Sequence, residues 1–97
     1  MATFIVLVNW TEQGIRDYKD TINRTKAVSD AAERLGGRIR DTFWTVGPYD
    51  IVGIGDFPDD ETATAFLLWL GSLGNVRTTT LRAFTAEEMA AIISKAG

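Results

Sequence analysis

Residues 4–10 read FIVLVNW, from Phe4 to Trp10. The run is β-branched and aromatic and too short for a typical helix. It is apolar on both parities, with Phe4, Val6, Val8 and Trp10 on one side and Ile5 and Leu7 on the other. This predicts a central strand covered on both faces, a condition the rest of the chain has to meet.

Downstream, Thr11 is a candidate N-cap for a short segment in which Ile15, Tyr18 and Ile22 recur at roughly helical spacing, weakened by Gly14. A longer helix follows with Ala27, Val28, Ala31, Ala32 and Leu35 as one stripe, stopping at Gly36-Gly37. Residues 38–46 and 49–57 are strand-like and flank Gly47-Pro48, which predicts a β-hairpin. In its second strand Gly53 and Gly55 share a parity with Ile51 and Phe57, so two side chains are missing where something bulky lies close. Asp59, Asp60 and Glu61 open a helix whose core face is Ala63, Phe66, Leu67 and Leu70, with Trp69 off the stripe and GSLGN (71–75) ending it. Residues 76–84, VRTTTLRAF, form a fourth strand, and the Thr85-x-x-Glu88 capping box starts a terminal helix through about Lys95 with Met89, Ile92 and Ile93 inward.

This order is α+β: a ferredoxin-like βαββαβ arrangement with a C-terminal helix, residues 1–97 forming one domain. Helices on one face of a four-stranded antiparallel sheet leave the other face bare. Yet the first strand is apolar on both sides, and Phe43 and Trp44 put an aromatic on each side of the second. Such a face would expose several hundred square ångströms of apolar surface, so a second subunit's sheet is expected to cover it in a homodimer or larger ring.

Composition excludes whole classes of chemistry. Cysteine and histidine are both absent, which removes disulfides, thiolate and imidazole catalysis, zinc ribbons and histidine-ligated metals. Ten basic against thirteen acidic residues give a net charge of −3 with no basic cluster, so nucleic acid is not an expected partner. The longest apolar run, Phe4 to Val8, is far short of a membrane span and follows no charged leader, so no membrane association and a cytoplasmic location are expected. The carboxylates of Asp59, Asp60 and Glu61 complement a helix dipole and diverge, and GSLGN lacks the lysine of a P-loop. No metal or cofactor is expected.

The candidate ligand-binding residues are Asn9, Trp10, Trp44, Tyr49, Asp50 and Arg77, and none is assigned a catalytic role. Each has two readings. Asp50 either accepts backbone N–H groups or pairs with an arginine, or it orients a ligand or serves as a base. Tyr49 is a core ring with its hydroxyl at the rim or a donor to a ligand. The tryptophans, Trp69 among them, cover a subunit interface or stack on an aromatic ligand. Asn9 caps the loop before Thr11 or points into a pocket. Arg77 and Arg82 lie on opposite parities, so at most one faces inward, while Arg38 and Arg40 read as a solvated edge.

Three segments resemble the GYD family of small bacterial and archaeal proteins: Gly47-Pro48-Tyr49-Asp50, Asn9-Trp10-Thr11, and Leu70 to Phe84 (LGSLGNVRTTTLRAF). That resemblance covers nearly the whole chain and implies a dimeric α+β barrel. More distantly, Gly47, Tyr49, Asp50 and Asn75 to Thr80 are similar to the effector domains of leucine-responsive and asparagine-regulator type transcription factors, which bind small molecules between subunits. The helix-turn-helix segment of those regulators has no counterpart here. The residue types at Asn9, Trp10, Tyr49 and Arg77 also occur in the pockets of cofactor-independent monooxygenases. Two functions follow. The chain is a homo-oligomeric small-molecule-binding or assembly module with its pocket at the intersubunit sheet cleft. The alternative is a cofactor-independent enzyme, monooxygenase- or isomerase-like, acting on a small aromatic or enolisable substrate in that cleft, with Asp50 or Tyr49 handling the proton.

Overall fold

The computed structural model describes residues 1–97. Strand β1 (Ala2–Trp10) leads into a short helix α1 (Glu12–Arg16), a 3₁₀ turn (Tyr18–Asp20) and helix α2 (Thr21–Arg34). Strands β2 (Arg38–Trp44) and β3 (Ile51–Phe57) form the hairpin, and α3 (Asp60–Ser72), β4 (Val76–Ala83) and α4 (Ala86–Ala96) complete the chain. The strands pair antiparallel in the order β2-β3-β1-β4. The ferredoxin-like order therefore holds, and β1 is interior. Ile22 falls in the first turn of α2 rather than in the segment before it.

One face of the sheet carries the helices. Phe4, Val6 and Val8 are buried on that face, opposite Gly55, Gly53 and Ile51 of β3. Phe4 joins Ala31, Ala32, Phe57, Ala63, Phe66 and Leu70 in one core cluster. Its ring meets Phe57 edge-on at 6.1 Å, and Phe57 lies 5.1 Å from Phe66, spacings typical of attractive aromatic pairs. Small Ala31 and Ala32 let α2 settle close to the strands, while Ala27 and Leu35 at the margins of the expected stripe are exposed. The helix ends where expected: Gly36 takes φ 81°, its N–H donates to the Glu33 carbonyl at 3.0 Å, and the Gly37 N–H donates to that of Ala32 at 2.9 Å. Trp69, read as off the stripe, packs 6.2 Å from Phe66 and belongs to the core side.

The two strand glycines differ. A Cβ on Gly55 would stand 3.1 Å from the Phe57 ring and 3.2 Å from Ile39 Cδ1, so bulky neighbours do fill that space. A Cβ on Gly53 would meet only the Asp41 carbonyl at 3.9 Å. Space lies open above it.

Two surfaces are left without cover. On the far side of the sheet Ile5, Leu7, Val52 and Ile54 are half-buried, and Phe43 and Leu81 are 56% and 47% exposed. These six form adjacent cross-strand rows, Phe43–Val52–Leu7 and Ile54–Ile5–Leu81. The second surface corrects an expectation. Helix α4 forms with its capping box in place, but Met89, Ile92 and Ile93 face solvent and no residue of the helix is buried. α2 and α3 already occupy the helix side of the sheet, which leaves no strand surface for a third helix.

Candidate functional site

Three segments that stood apart in the sequence are joined at one end of the sheet. Asp50 accepts the Trp10 N–H on Oδ2 at 2.9 Å, and its own N–H donates to the Val8 carbonyl at 2.8 Å. The carboxylate therefore closes the frayed end of the β1–β3 ladder, across the sheet rather than within its own turn. That turn is held separately: the Thr45 hydroxyl donates to the Tyr49 carbonyl at 2.6 Å, and the Thr45 N–H to the Asp50 carbonyl at 2.9 Å. Thr11 accepts the Gly14 N–H as N-cap of α1 at 3.1 Å and donates to the Gly74 carbonyl at 2.6 Å. Gln13 reaches both the Leu73 carbonyl and Asn75 Oδ1. A Cβ on Gly14 would fall inside the Asn75 carbonyl, so the close approach of α1 to the 71–75 loop requires glycine.

The six candidate residues share this end but not one face. Asn9 and Arg77 are cross-strand partners on the open face. Trp10 turns to the helix side and lines a cavity there. Trp44 is 41% exposed and donates from Nε1 to Thr21 Oγ1 at 3.0 Å, which ties the end of β2 to the first turn of α2. Tyr49 and Asp50 are half-buried in the turn between β2 and β3. Arg82, on the parity opposite Arg77, lies 5.6 Å over the Phe4 ring and 4.5 Å over that of Phe84.

The cavity lies between the sheet and α2 and α3, has a volume of about 170 Å³, and is walled mainly by apolar side chains, including Val6, Val8, Phe66 and Trp69. Gly53 forms part of its floor. Pattern reading missed this space because each wall residue, taken singly, reads as ordinary core; the signal was the absent side chain at Gly53.

A family profile described as GYD domain matches residues 4–93. The chain belongs to the GYD family. A relative from Thermus thermophilus, named glutamine synthetase and cystathionine beta-lyase binding protein, is 35% identical over 92 residues, covering 94% of this chain and 97% of its own. A crystal structure of a protein from Thermus thermophilus superposes with a TM-score of 0.56 at 28% identity, covering 89% of this chain and 96% of that one. The fold of this GYD chain is thus also that of a solved structure.

At the opposite end of its open face the GYD domain holds a polar cluster that pattern reading overlooked. Asp56 is 7% exposed. It accepts from the Thr3 hydroxyl at 2.8 Å and from Arg38 Nε at 3.2 Å, and forms an ion pair with Arg40 at 2.8 Å. Burial pushes its carboxyl up, but the Thr3 and Arg38 hydrogen bonds and the charges of Arg40 and Arg38 outweigh it and hold the group below the usual carboxylate range. A register irregularity between Ile39 and Asp41 lets two arginines reach one carboxylate. Arg38 and Arg40, read as a solvated edge, are in part an ion-pair cluster.

Proposed function

We propose that this chain is a non-catalytic, self-associating docking module: copies close their open sheet faces on one another, and the assembly binds other proteins. The observation that carries the reading is the open face, with Ile5, Leu7, Val52, Ile54, Phe43 and Leu81 on adjacent rows and no element of the chain over them. Four strands about 4.8 Å apart and some seven residues of about 3.3 Å each give a face of roughly 19 by 23 Å. That is about 440 Å² in flat projection, which side-chain relief enlarges toward the roughly 800 Å² per partner of a standard stable interface. One patch meeting its own copy satisfies two-fold symmetry without any second surface.

The docking half is supported by the relative named as a binding protein for two enzymes, and by α4, whose Met89, Ile92 and Ile93 present an apolar stripe outward. Such a helix suits insertion into a groove on a partner. A small molecule held between subunits, as the resemblance to effector domains implies, would meet Asn9 and Arg77, which make no side-chain hydrogen bond within the chain. The enzymatic alternative relies on Asp50 or Tyr49 to move a proton, and Asp50 is engaged with the Trp10 N–H. The docking reading is therefore preferred.

The test is sedimentation of the purified chain with glutamine synthetase and with cystathionine beta-lyase from its own source, beside a Val52→Lys variant. We expect co-sedimentation with at least one enzyme, and a variant that keeps its circular dichroism but sediments as a smaller species. Absence of both complexes at micromolar concentrations would overturn the docking half, and an unchanged assembly in Val52→Lys would overturn the self-association half.

A further inference from the structure

We infer that the cavity between the sheet and helices α2 and α3 binds one small, neutral, predominantly hydrocarbon molecule about the size of a single substituted aromatic ring. The site lies on the face of the sheet opposite the proposed subunit contact and does not rest on that contact.

The first observation is a glycine that the fold does not require. Gly53 sits in the interior of β3, paired with Val6 on one side and Thr42 on the other. Glycine weakens a strand there, through its backbone freedom and its lack of a side chain to pack. The usual structural reasons for one are missing. Its φ is not positive. Its pairs lie in unbroken register with those of Val52 and Ile54, the β2–β3 irregularity falling between Ile39 and Asp41. A Cβ would meet nothing closer than the Asp41 carbonyl at 3.9 Å. Gly55, by contrast, is held to glycine by the Phe57 ring and Ile39. The remaining reason for a glycine within a strand is the close approach of a bound group, and Gly53 lines the cavity.

The second observation is the space and its walls. About 170 Å³ is comparable to the roughly 150 Å³ apolar cavity that accommodates benzene in another protein. A helix about 10 Å across does not fit such a volume, so the occupant is a small molecule rather than a segment of protein. Trp10, Phe66 and Trp69 supply flat aromatic surface, and Val28 and Leu70 supply branched apolar surface. Against these a hydrocarbon gains close dispersion contacts. Most polar side chains along the walls already have partners: the Thr21 hydroxyl accepts from Trp44, that of Thr25 donates to the Thr21 carbonyl, and Asn75 Oδ1 accepts from Gln13. Arg24 Nη2 is taken by the carbonyls of Gly14 and Asp17, and Nη1 has no accessible surface, so neither reaches a ligand. A charged or polyhydroxylated molecule would lose its water here without gaining replacement hydrogen bonds, which selects a neutral one.

The experiment is a titration of the full chain with toluene, and separately with benzoate, followed by carbon-13 methyl NMR. We expect saturable shifts confined to wall methyls, those of Val6, Val8, Val28 and Leu70, with Leu7, Val52 and Leu81 on the open face unmoved. Toluene should bind at least about tenfold more tightly than benzoate. Gly53→Ala and Gly53→Val add side-chain carbons to the floor, where no other atom stands closer than 3.9 Å to the new Cβ. Both should keep or exceed the parent melting temperature while binding falls, further for valine than for alanine. No saturable shift up to the solubility of toluene, shifts of the open-face methyls instead, benzoate bound as tightly as toluene, or undiminished binding in the folded Gly53 variants would each overturn the proposal.

Discussion

Asp50 illustrates how one side chain organises an end of the sheet. Its carboxylate satisfies the Trp10 N–H at the point where β1 leaves the ladder, so removal leaves a half-buried donor without a partner. Asp50→Ala should cost about 1–2 kcal/mol in chemical denaturation, and Asp50→Asn, which keeps an acceptor, should cost less. Glycine positions give a sharper contrast. Gly14→Ala drives a Cβ into a backbone carbonyl of the 71–75 loop and should lower the melting temperature severely, whereas Gly53→Ala projects into empty space and should stabilise by about 0.5 kcal/mol or leave the fold unchanged. Asp56 carries a pH dependence. Its folded value lies below the ordinary 3.8, so its contribution is complete above that pH and is lost as pH falls through the folded value. Acid titration followed by circular dichroism should show a stability limb below about pH 4 that flattens in Asp56→Asn.

At the scale of elements, helix α4 separates local from tertiary information. Its start was legible in Thr85 and Glu88, whose reciprocal hydrogen bonds need no neighbour, and its amphipathic stripe was legible in Met89, Ile92 and Ile93. The stripe could not say which body it faces, because a 3.6-residue period specifies a side of the helix and not the surface beyond it. Since these residues are exposed, Ile92→Asp with Ile93→Glu should leave the stability of the isolated domain within about 0.5 kcal/mol of the parent while weakening any complex that uses α4. The hairpin was read more completely: Gly47-Pro48 placed the turn, and the strand-like runs on either side of it placed both strands. Their ends moved inward, to Trp44 and Ile51: Thr45 bonds to Tyr49 and Asp50 across the turn, and Asp50 gives its N–H to Val8 of β1. Arg40 escaped reading because a register irregularity redirects it, and strict parity carries no sign of one.

For the whole molecule, the double-sided apolarity of Phe4 to Trp10 was the most informative feature, and the structure resolves it into two halves. One parity lies under α2 and α3, and the other forms the open face. The candidate residues were read as one intersubunit cleft, and they do share one end of the sheet. Consecutive residues on a strand point to opposite faces, however, so Asn9 and Trp10 serve different surfaces. Which side holds a cavity is set by how far α2 and α3 stand from Gly53, a tertiary distance that no local pattern encodes. Closure of the open face by a second copy is what gives the molecule its proposed role, and native mass spectrometry across a concentration series reads that closure without a label or a partner. We expect a dimer or a larger whole-number assembly of 10.7 kDa subunits that dissociates when Val52 becomes lysine; a single 10.7 kDa species at every concentration would contradict it.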